Sequence, residues 1–122
     1  MADLLVAGSR FCPPLAECFH IFDNASYVFN RTFGRIISGG ADGADSAAEK
    51  WAESKDYPFA KYPADWHTYG RRAGFLRNKE MVKACSAAIL LWDGESRGTK
   101  LTLDLLLQAD KPFVLHKFVL TE

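Results

Sequence analysis

Short runs of apolar residues alternate along this chain with longer stretches in which apolar residues recur every three or four positions. The short runs are typical of strands buried on both faces of a parallel sheet. The longer stretches have the period of helices that pack one face against a sheet. The pattern predicts strands at residues 4–7, 35–38, 58–62, 87–92 and 113–119.

The predicted helices lie between these strands, at about residues 13–30, 44–56 and 75–84, and through the leucines of residues 101–107. Pro13 and Pro14 open the first helix, since proline suits a first helical turn. Pro58 ends the second near Asp56, because it disfavours helical geometry at Tyr57.

The alternation of strands and helices predicts one α/β domain over residues 1–122. We expect a Rossmann-like three-layer fold with a mainly parallel five-stranded sheet in the order 3-2-1-4-5. The last helix carries leucines on more than one face, which predicts a homo-oligomer, at least a dimer. Those leucines are Leu101, Leu103, Leu105, Leu106 and Leu107.

Composition narrows the choice of partner and compartment. Hydrophobic residues make up 48% of the chain and charged residues 25%, as in ordinary soluble domains. The formal net charge is zero, which argues against nucleic acid and an anionic membrane as partners. There is no apolar run of membrane-spanning length and no basic leader, so we expect neither a membrane span nor a signal peptide.

The cysteines and histidines show no spacing typical of a metal site. Cys12, Cys18 and Cys85 form no CxxC pair, which favours a reducing, cytoplasmic setting over a disulfide framework. The three histidines lie far apart in the sequence. We therefore predict no metal and no cofactor.

Three loops of small residues follow predicted strands, and the carboxyl ends of parallel strands meet at one edge of a sheet. Glycines there let a ligand approach the main chain, and helix N-termini favour an anion such as phosphate. For the middle loop, an ordinary turn capped by Asp42 is the alternative. The candidate ligand-binding residues are Gly8, Ser9, Arg10, Ser38, Gly39, Gly40, Asp42, Gly43, Asp45, Trp66, Arg77, Asn78, Ser96, Arg97, Gly98 and Thr99.

Several of these candidates have two interpretations. Arg77 and Asn78 are predicted in a first helical turn, where a planar guanidinium can hold an oxyanion with two bonds, or form part of a solvated charged face. Trp66 lies in the irregular stretch 63–74 and could stack on a base or anchor its own loop. Asp45 could orient a ribose hydroxyl or stabilise the start of its helix.

Several familiar catalytic and phosphate-binding motifs are absent from the sequence. Neither GxGxxG of dehydrogenases, nor the Walker A pattern, nor the Gly-x-Ser-x-Gly elbow occurs. A standard dehydrogenase, NTPase or serine hydrolase is therefore not supported.

Five segments, at residues 8–10, 38–45, 63–66, 73–81 and 96–99, stand in an order that resembles YspA-like members of the SLOG superfamily. That superfamily joins the Smf/DprA DNA-processing proteins to the LOG phosphoribohydrolases. The resemblance implies a domain that binds a nucleotide-derived ligand, such as an ADP-ribose-type or cyclic-nucleotide signal, in conflicts between phages and bacterial immunity. The alternative it implies is a LOG-like phosphoribohydrolase or a nucleoside deoxyribosyltransferase acting on nucleoside monophosphates.

The same resemblance bears on catalysis. The arginine of the LOG motif Arg-Lys-x-x-Met matches Arg77, with Asn78 at the lysine position and Met81 following. The glutamate that ends the LOG motif Pro-Gly-Gly-x-Gly-Thr-x-x-Glu falls on Thr102. A hydroxyl cannot act as a base or stabilise an oxocarbenium-like centre as a carboxylate does. The sequence therefore favours binding over hydrolysis.

Overall fold

The structure of the protein, a computed structural model, describes residues 2–30, 33–40 and 43–119. Five strands form one sheet in the order β3-β2-β1-β4-β5, and every pairing is parallel. The predicted fold class and strand order are confirmed. The strands are β1 (Ala2–Gly8), β2 (Phe33–Ser38), β3 (Phe59–Lys61), β4 (Ala87–Trp92) and β5 (Phe113–Lys117).

The central strand β1 is buried on both faces, as its continuous apolar sequence predicts. Leu4 and Val6 face one hydrophobic core, whereas Leu5 and Ala7 face the other. This alternation follows from the two-residue period of a strand. The sheet therefore separates two cores, each covered by its own helices.

Helices cover both faces of the sheet. On one face, Phe22 and Trp51 pack with their ring centroids 5.4 Å apart, and the Trp51 indole donates to Asp23 at 2.8 Å. On the other face, Met81 and Leu106 are buried against β1 and β4. The helices are α1 (Leu15–Asp23), α2 (Ala25–Phe29), α3 (Ala44–Ser54), α4 (Trp66–Tyr69), α5 (Ala73–Ala84) and α6 (Arg97–Gln108).

Two predicted helix boundaries are wrong. The helix predicted over 13–30 is two helices, because α1 ends at Asp23. The next residue, Asn24, donates from its side chain to the His20 carbonyl at 3.0 Å, and this bond competes with the helical ladder. The helix predicted to start near Phe75 begins at Ala73, where a 3-10 turn leads directly into it. Arg77 therefore lies in the second turn of α5, and the prediction that it stands in the first turn is wrong.

The leucine-rich helix α6 buries only part of its apolar surface. Leu106 is fully buried, whereas Leu107 is 59% exposed and the other three leucines are partly exposed. An oligomer that covers this surface stays a prediction. Within the described ranges, no helix combines the length and the apolar character that crossing a bilayer requires.

Candidate functional site

The carboxyl ends of β1, β2 and β4 meet at one edge of the sheet, and Ser9 ties their loops together. Its N–H donates to the Leu91 carbonyl at 2.9 Å, and its hydroxyl accepts from the Asp93 N–H at 3.0 Å. Its own carbonyl accepts from the Ala44 N–H at 3.3 Å. Ser9 is buried and its hydroxyl is used within the protein, so it positions the site.

Two glycines allow these loops to approach each other closely. A side chain at Gly8 would overlap the Leu91 carbonyl, and one at Gly43 would overlap the carbonyls of Ser9 and Arg10. Gly43 also has a φ of +76°, which side chains rarely adopt. The sequence requires glycine here so that the three loops can surround a common space.

That space is a small cavity of about 90 Å³. Seven of the predicted ligand-binding residues line it, together with three residues that the prediction did not include. The predicted ones are Gly8, Asp45, Arg77, Asn78, Ser96, Gly98 and Thr99, and the additional ones are Ala7, Met81 and Thr102.

Arg77 reaches from α5 across the ends of two strands. Its Nη1 donates to the carbonyls of Gly39, at 3.0 Å, and Tyr62, at 3.3 Å. Its Nε donates to the Asn78 side-chain oxygen at 2.7 Å. These three bonds hold the guanidinium plane at the cavity wall, and Nη2 takes part in none of them.

The carboxylate of Asp45 lies in the same cavity wall, on α3. It is only 6% exposed. A side chain at Gly39 would come within 2.5 Å of Arg77 Nη1 and 3.2 Å of Asp45 Oδ2, so glycine at this position leaves room for both charged groups. The cavity therefore presents one anionic and one cationic side chain.

The N-terminus of α6 forms the opposite wall. Ser96 caps the helix by accepting from the Thr99 N–H at 3.4 Å, and its hydroxyl lies 3.2 Å from that of Thr99. Thr102, one turn later, donates to the Gly98 carbonyl at 3.1 Å. The N–H groups of Arg97 and Gly98 find no acceptor in the described part of the chain, as is usual for first-turn amides.

Asp93 holds the loop that leads into this helix. Its carboxylate accepts from the N–H groups of Glu95, at 2.9 Å, and Ser96, at 2.8 Å. These bonds lower the pKa of the Asp93 carboxyl, because they favour its charged form. The stabilisation they give is therefore present above the ordinary pKa of the group and is lost as the pH falls through the lowered value.

The remaining predicted residues lie outside the cavity lining. Arg10 and Arg97 are exposed, and Trp66 is 60% exposed, with its ring beside Gly74. Ser38 is fully buried, and its hydroxyl has no hydrogen-bond partner among the residues that the structure describes. Gly40 packs against the side chain of Lys61. Asp42, and with it the proposed cap of α3, lies outside the described residues.

Sequence reasoning missed the backbone part of the site. The Tyr62 carbonyl that accepts from Arg77 directly follows β3, and a backbone acceptor cannot be identified from the residue type. The sequence pointed to Thr102 only as the position of the absent glutamate. Ser96, Thr99 and Thr102 follow one another at intervals of three residues, which already places them on one side of α6 and its cap.

Comparison with known proteins agrees with this fold and shows the family of the chain. The sequence model of the YspA, cpYpsA-related SLOG family (YAcAr) matches residues 28–69. Gene 61 protein of Mycobacterium phage D29 is 39% identical over 107 residues, which cover 82% of this chain and 84% of the phage protein. The protein is thus a Rossmann-like domain of the SLOG type. It belongs to the YspA, cpYpsA-related SLOG family, as its sequence motifs predicted.

Solved structures of DNA processing protein A (DprA) share the fold. The Streptococcus pneumoniae protein matches with a TM-score of 0.73 at 15% identity, over 94% of this chain and 50% of that one. The Helicobacter pylori protein matches with a TM-score of 0.67 at 17% identity, over 99% of this chain and 67% of that one. This chain spans only half of the pneumococcal protein, so the match covers only part of that protein.

One predicted exclusion is corrected by this comparison. The structure of the H. pylori protein is described in terms of its single-stranded DNA binding mode. A protein with this fold therefore binds nucleic acid, and the prediction that argued against nucleic acid as a partner is wrong. It rested on a net charge of zero, which says nothing of how charges are distributed over the surface.

Proposed function

We propose that the cavity binds the phosphate group of a nucleotide-derived ligand. The observation that carries the proposal is the meeting of the Arg77 guanidinium with the N-terminus of α6 in one small space. Helix N-termini favour anions, and a guanidinium held in a fixed plane can give an oxyanion a charge-assisted hydrogen bond. The donor for this purpose is Nη2, because Nε and Nη1 are engaged by the protein and Nη2 makes no hydrogen bond to the residues that the structure describes.

The size of the cavity supports recognition of a single group. Pockets that enclose a whole drug-sized ligand measure about 300–1,000 Å³. This cavity measures about 90 Å³, so it suits one phosphate and leaves the nucleoside outside, along the loops. The hydroxyls of Ser96 and Thr99 would then face the phosphate, and the carboxylate of Asp45 would accept a hydrogen bond from a hydroxyl of the neighbouring sugar.

The test is calorimetric titration of the protein with AMP, ADP-ribose and adenosine. We expect both phosphorylated compounds to bind and adenosine, which lacks the phosphate, to bind at least ten times more weakly. Equal affinities for AMP and adenosine would contradict the proposal.

Chromatography of AMP after incubation with the protein separates binding from catalysis. Released adenine would show the LOG-like hydrolysis, and intact AMP would show binding alone. Mass identification of any compound recovered from the denatured protein would name the natural ligand.

A second candidate function is binding of single-stranded nucleic acid along α4 and α5. A groove of about 410 Å³ is lined by Tyr69, Arg72, Leu76, Lys79, Glu80 and Lys83. Lys79 and Lys83 lie four residues apart on one side of α5, and Arg72 ends the 3-10 turn that leads into this helix. Tyr69 is 51% exposed and Trp66 on the same short helix is 60% exposed. Basic side chains beside exposed aromatic rings suit a strand whose bases stack.

This candidate predicts a local effect of charge reversal. Lys79→Glu with Lys83→Glu should weaken binding of a fluorescent oligothymidylate and should reduce its salt dependence, by a slope of about 0.7 for each phosphate that is no longer neutralised. The matched control is Lys50→Glu with Lys55→Glu, two exposed lysines of the α3 segment on the other face of the sheet. Equal decreases in affinity in both double variants would mean that only overall charge matters and would refute the groove.

A further inference from the structure

Two cysteines that take no part in the candidate site lie side by side where the first loop enters α1. The sulfur atoms of Cys12 and Cys18 are 3.7 Å apart. Neither belongs to a disulfide. Cys18 is fully buried in the first turns of α1, whereas Cys12 lies in the preceding loop and is partly exposed. The pair therefore has one thiol that solvent can reach and one that it cannot.

The surroundings of Cys18 keep it in the thiol form. Burial, followed by the proximity of Cys12, raises the pKa of Cys18 to about 12. Its sulfur lies 3.3 Å from the Pro13 carbonyl as well as 3.7 Å from Cys12, so its single S–H is directed to one or other of these acceptors. Because a thiolate is the reactive form, Cys12 is the thiol that an oxidant attacks first.

We propose that Cys12 and Cys18 are an oxidation site at which hydrogen peroxide closes a reversible intramolecular disulfide. A disulfide needs sulfur atoms about 2.05 Å apart. The gap of 3.7 Å closes by rotation of the Cys12 side chain and a small shift of its loop, which no helix or strand constrains at this residue.

The reaction balances in two steps. In the first, the Cys12 thiolate attacks one peroxide oxygen, the O–O bond breaks, and with a proton the products are Cys12 sulfenic acid and one water. In the second, the Cys18 sulfur attacks the sulfenic sulfur, the S–O bond breaks, and the Cys18 proton leaves with the oxygen as a second water. The two thiols together lose two electrons, which reduce the peroxide. Since sulfenic acid is neutral, the first step removes the contribution of Cys12 to the raised pKa of Cys18, whereas the larger contribution of burial remains.

The bond would act on the loop that contributes to the ligand site. Cys12 follows Arg10 by two residues, and the carbonyl of Arg10 packs directly against Gly43 of the glycine loop. Oxidation would fasten this segment to the buried Cys18 of α1, so the packing of the first loop against the glycine loop becomes sensitive to peroxide. Cys85 lies in the core on the opposite face of the sheet and provides an internal control.

The experiment counts thiols. The reduced protein is treated with hydrogen peroxide, denatured and alkylated with iodoacetamide, and its mass is measured. We expect three alkylated cysteines before oxidation and one, Cys85, afterwards, with all three restored by dithiothreitol. Peptide mapping should show Cys12 linked to Cys18 within one monomer. Peroxide that leaves three alkylatable thiols, or that links the protein between monomers, would overturn the proposal.

Two variants test which sulfur atoms form the disulfide. Cys85→Ser should form the same link, since its sulfur takes no part. In Cys18→Ser the sulfenic acid has no neighbouring thiol to trap it, so Cys12 should gain oxygen atoms and reach the sulfinic form that dithiothreitol does not reverse. Reversible oxidation of Cys12 in Cys18→Ser, at the same rate and extent as in the unchanged protein, would show that Cys18 is not its partner.

Discussion

Replacing Gly43 with alanine is expected to destabilise the protein by roughly 3–5 kcal/mol, by adding backbone strain to steric overlap. The residue has a φ of +76°, and its new methyl group would overlap the carbonyls of Ser9 and Arg10. The Ser9 carbonyl cannot move freely, because Ser9 is hydrogen-bonded to Leu91, Asp93 and Ala44. Thermal unfolding should show a midpoint lowered by roughly 10 °C or more.

Two other glycines separate the causes of this effect. Gly70 has a φ of +58° but nothing within 4 Å of an added methyl group, so Gly70→Ala measures backbone strain alone. Gly98 has open space and no positive φ, so Gly98→Ala should be neutral or slightly stabilising within its helix. If all three variants unfold at the same temperature, the close approach of the loops at Gly43 does not support the fold.

Replacing Arg77 with alanine should weaken binding of AMP by about ten- to a hundredfold, since a hydrogen bond to a charged group contributes about 1.5–3 kcal/mol. The same change should also lower the unfolding midpoint, because the carbonyls of Gly39 and Tyr62 lose their donor. Calorimetric titration, at a temperature where circular dichroism shows the variant to be folded, measures the first effect apart from the second.

Lys50→Ala is the control for this change. Lys50 is exposed, lies on α3 and does not line the cavity, so its removal should leave the affinity for AMP unchanged. Arg77→Lys keeps the charge but cannot reproduce the planar fork, and we expect an intermediate affinity. Unchanged affinity in a folded Arg77→Ala protein would place the ligand elsewhere.

The fold could be predicted from the sequence because its signals are local. The continuous apolar run of residues 87–92 is typical of a strand buried on both faces, and Pro58 disfavours helical geometry at the residue before it. The break at Asn24 escaped prediction, because the surrounding apolar residues keep the helical period while the side chain bonds the His20 carbonyl. Helix ends depend on such single hydrogen bonds, which a pattern of apolar positions does not contain.

The candidate site could be predicted in part. The topology brings Gly8, Asp45 and Ser96 to one edge of the sheet, so the sequence was sufficient to place them near one another. It could not show that the Ser9 hydroxyl is bonded to the Asp93 backbone, nor that Trp66 lies outside the cavity. Whether a polar group faces a ligand or its own protein depends on distances of about an ångström, and residue types do not encode these.

The position of β1 has a consequence for synthesis on the ribosome. Its two neighbours are β2, which follows closely in the chain, and β4, so that Leu4 pairs with Ile36 on one side and with Ala87 on the other. While the chain is being translated, one edge of this central buried strand lacks its partner until residues 87–92 have emerged. An open strand edge is a template for pairing between chains. Ribosome-bound fragments that end before residue 87 thus expose the surface most prone to aggregation, and completion of β4 removes it.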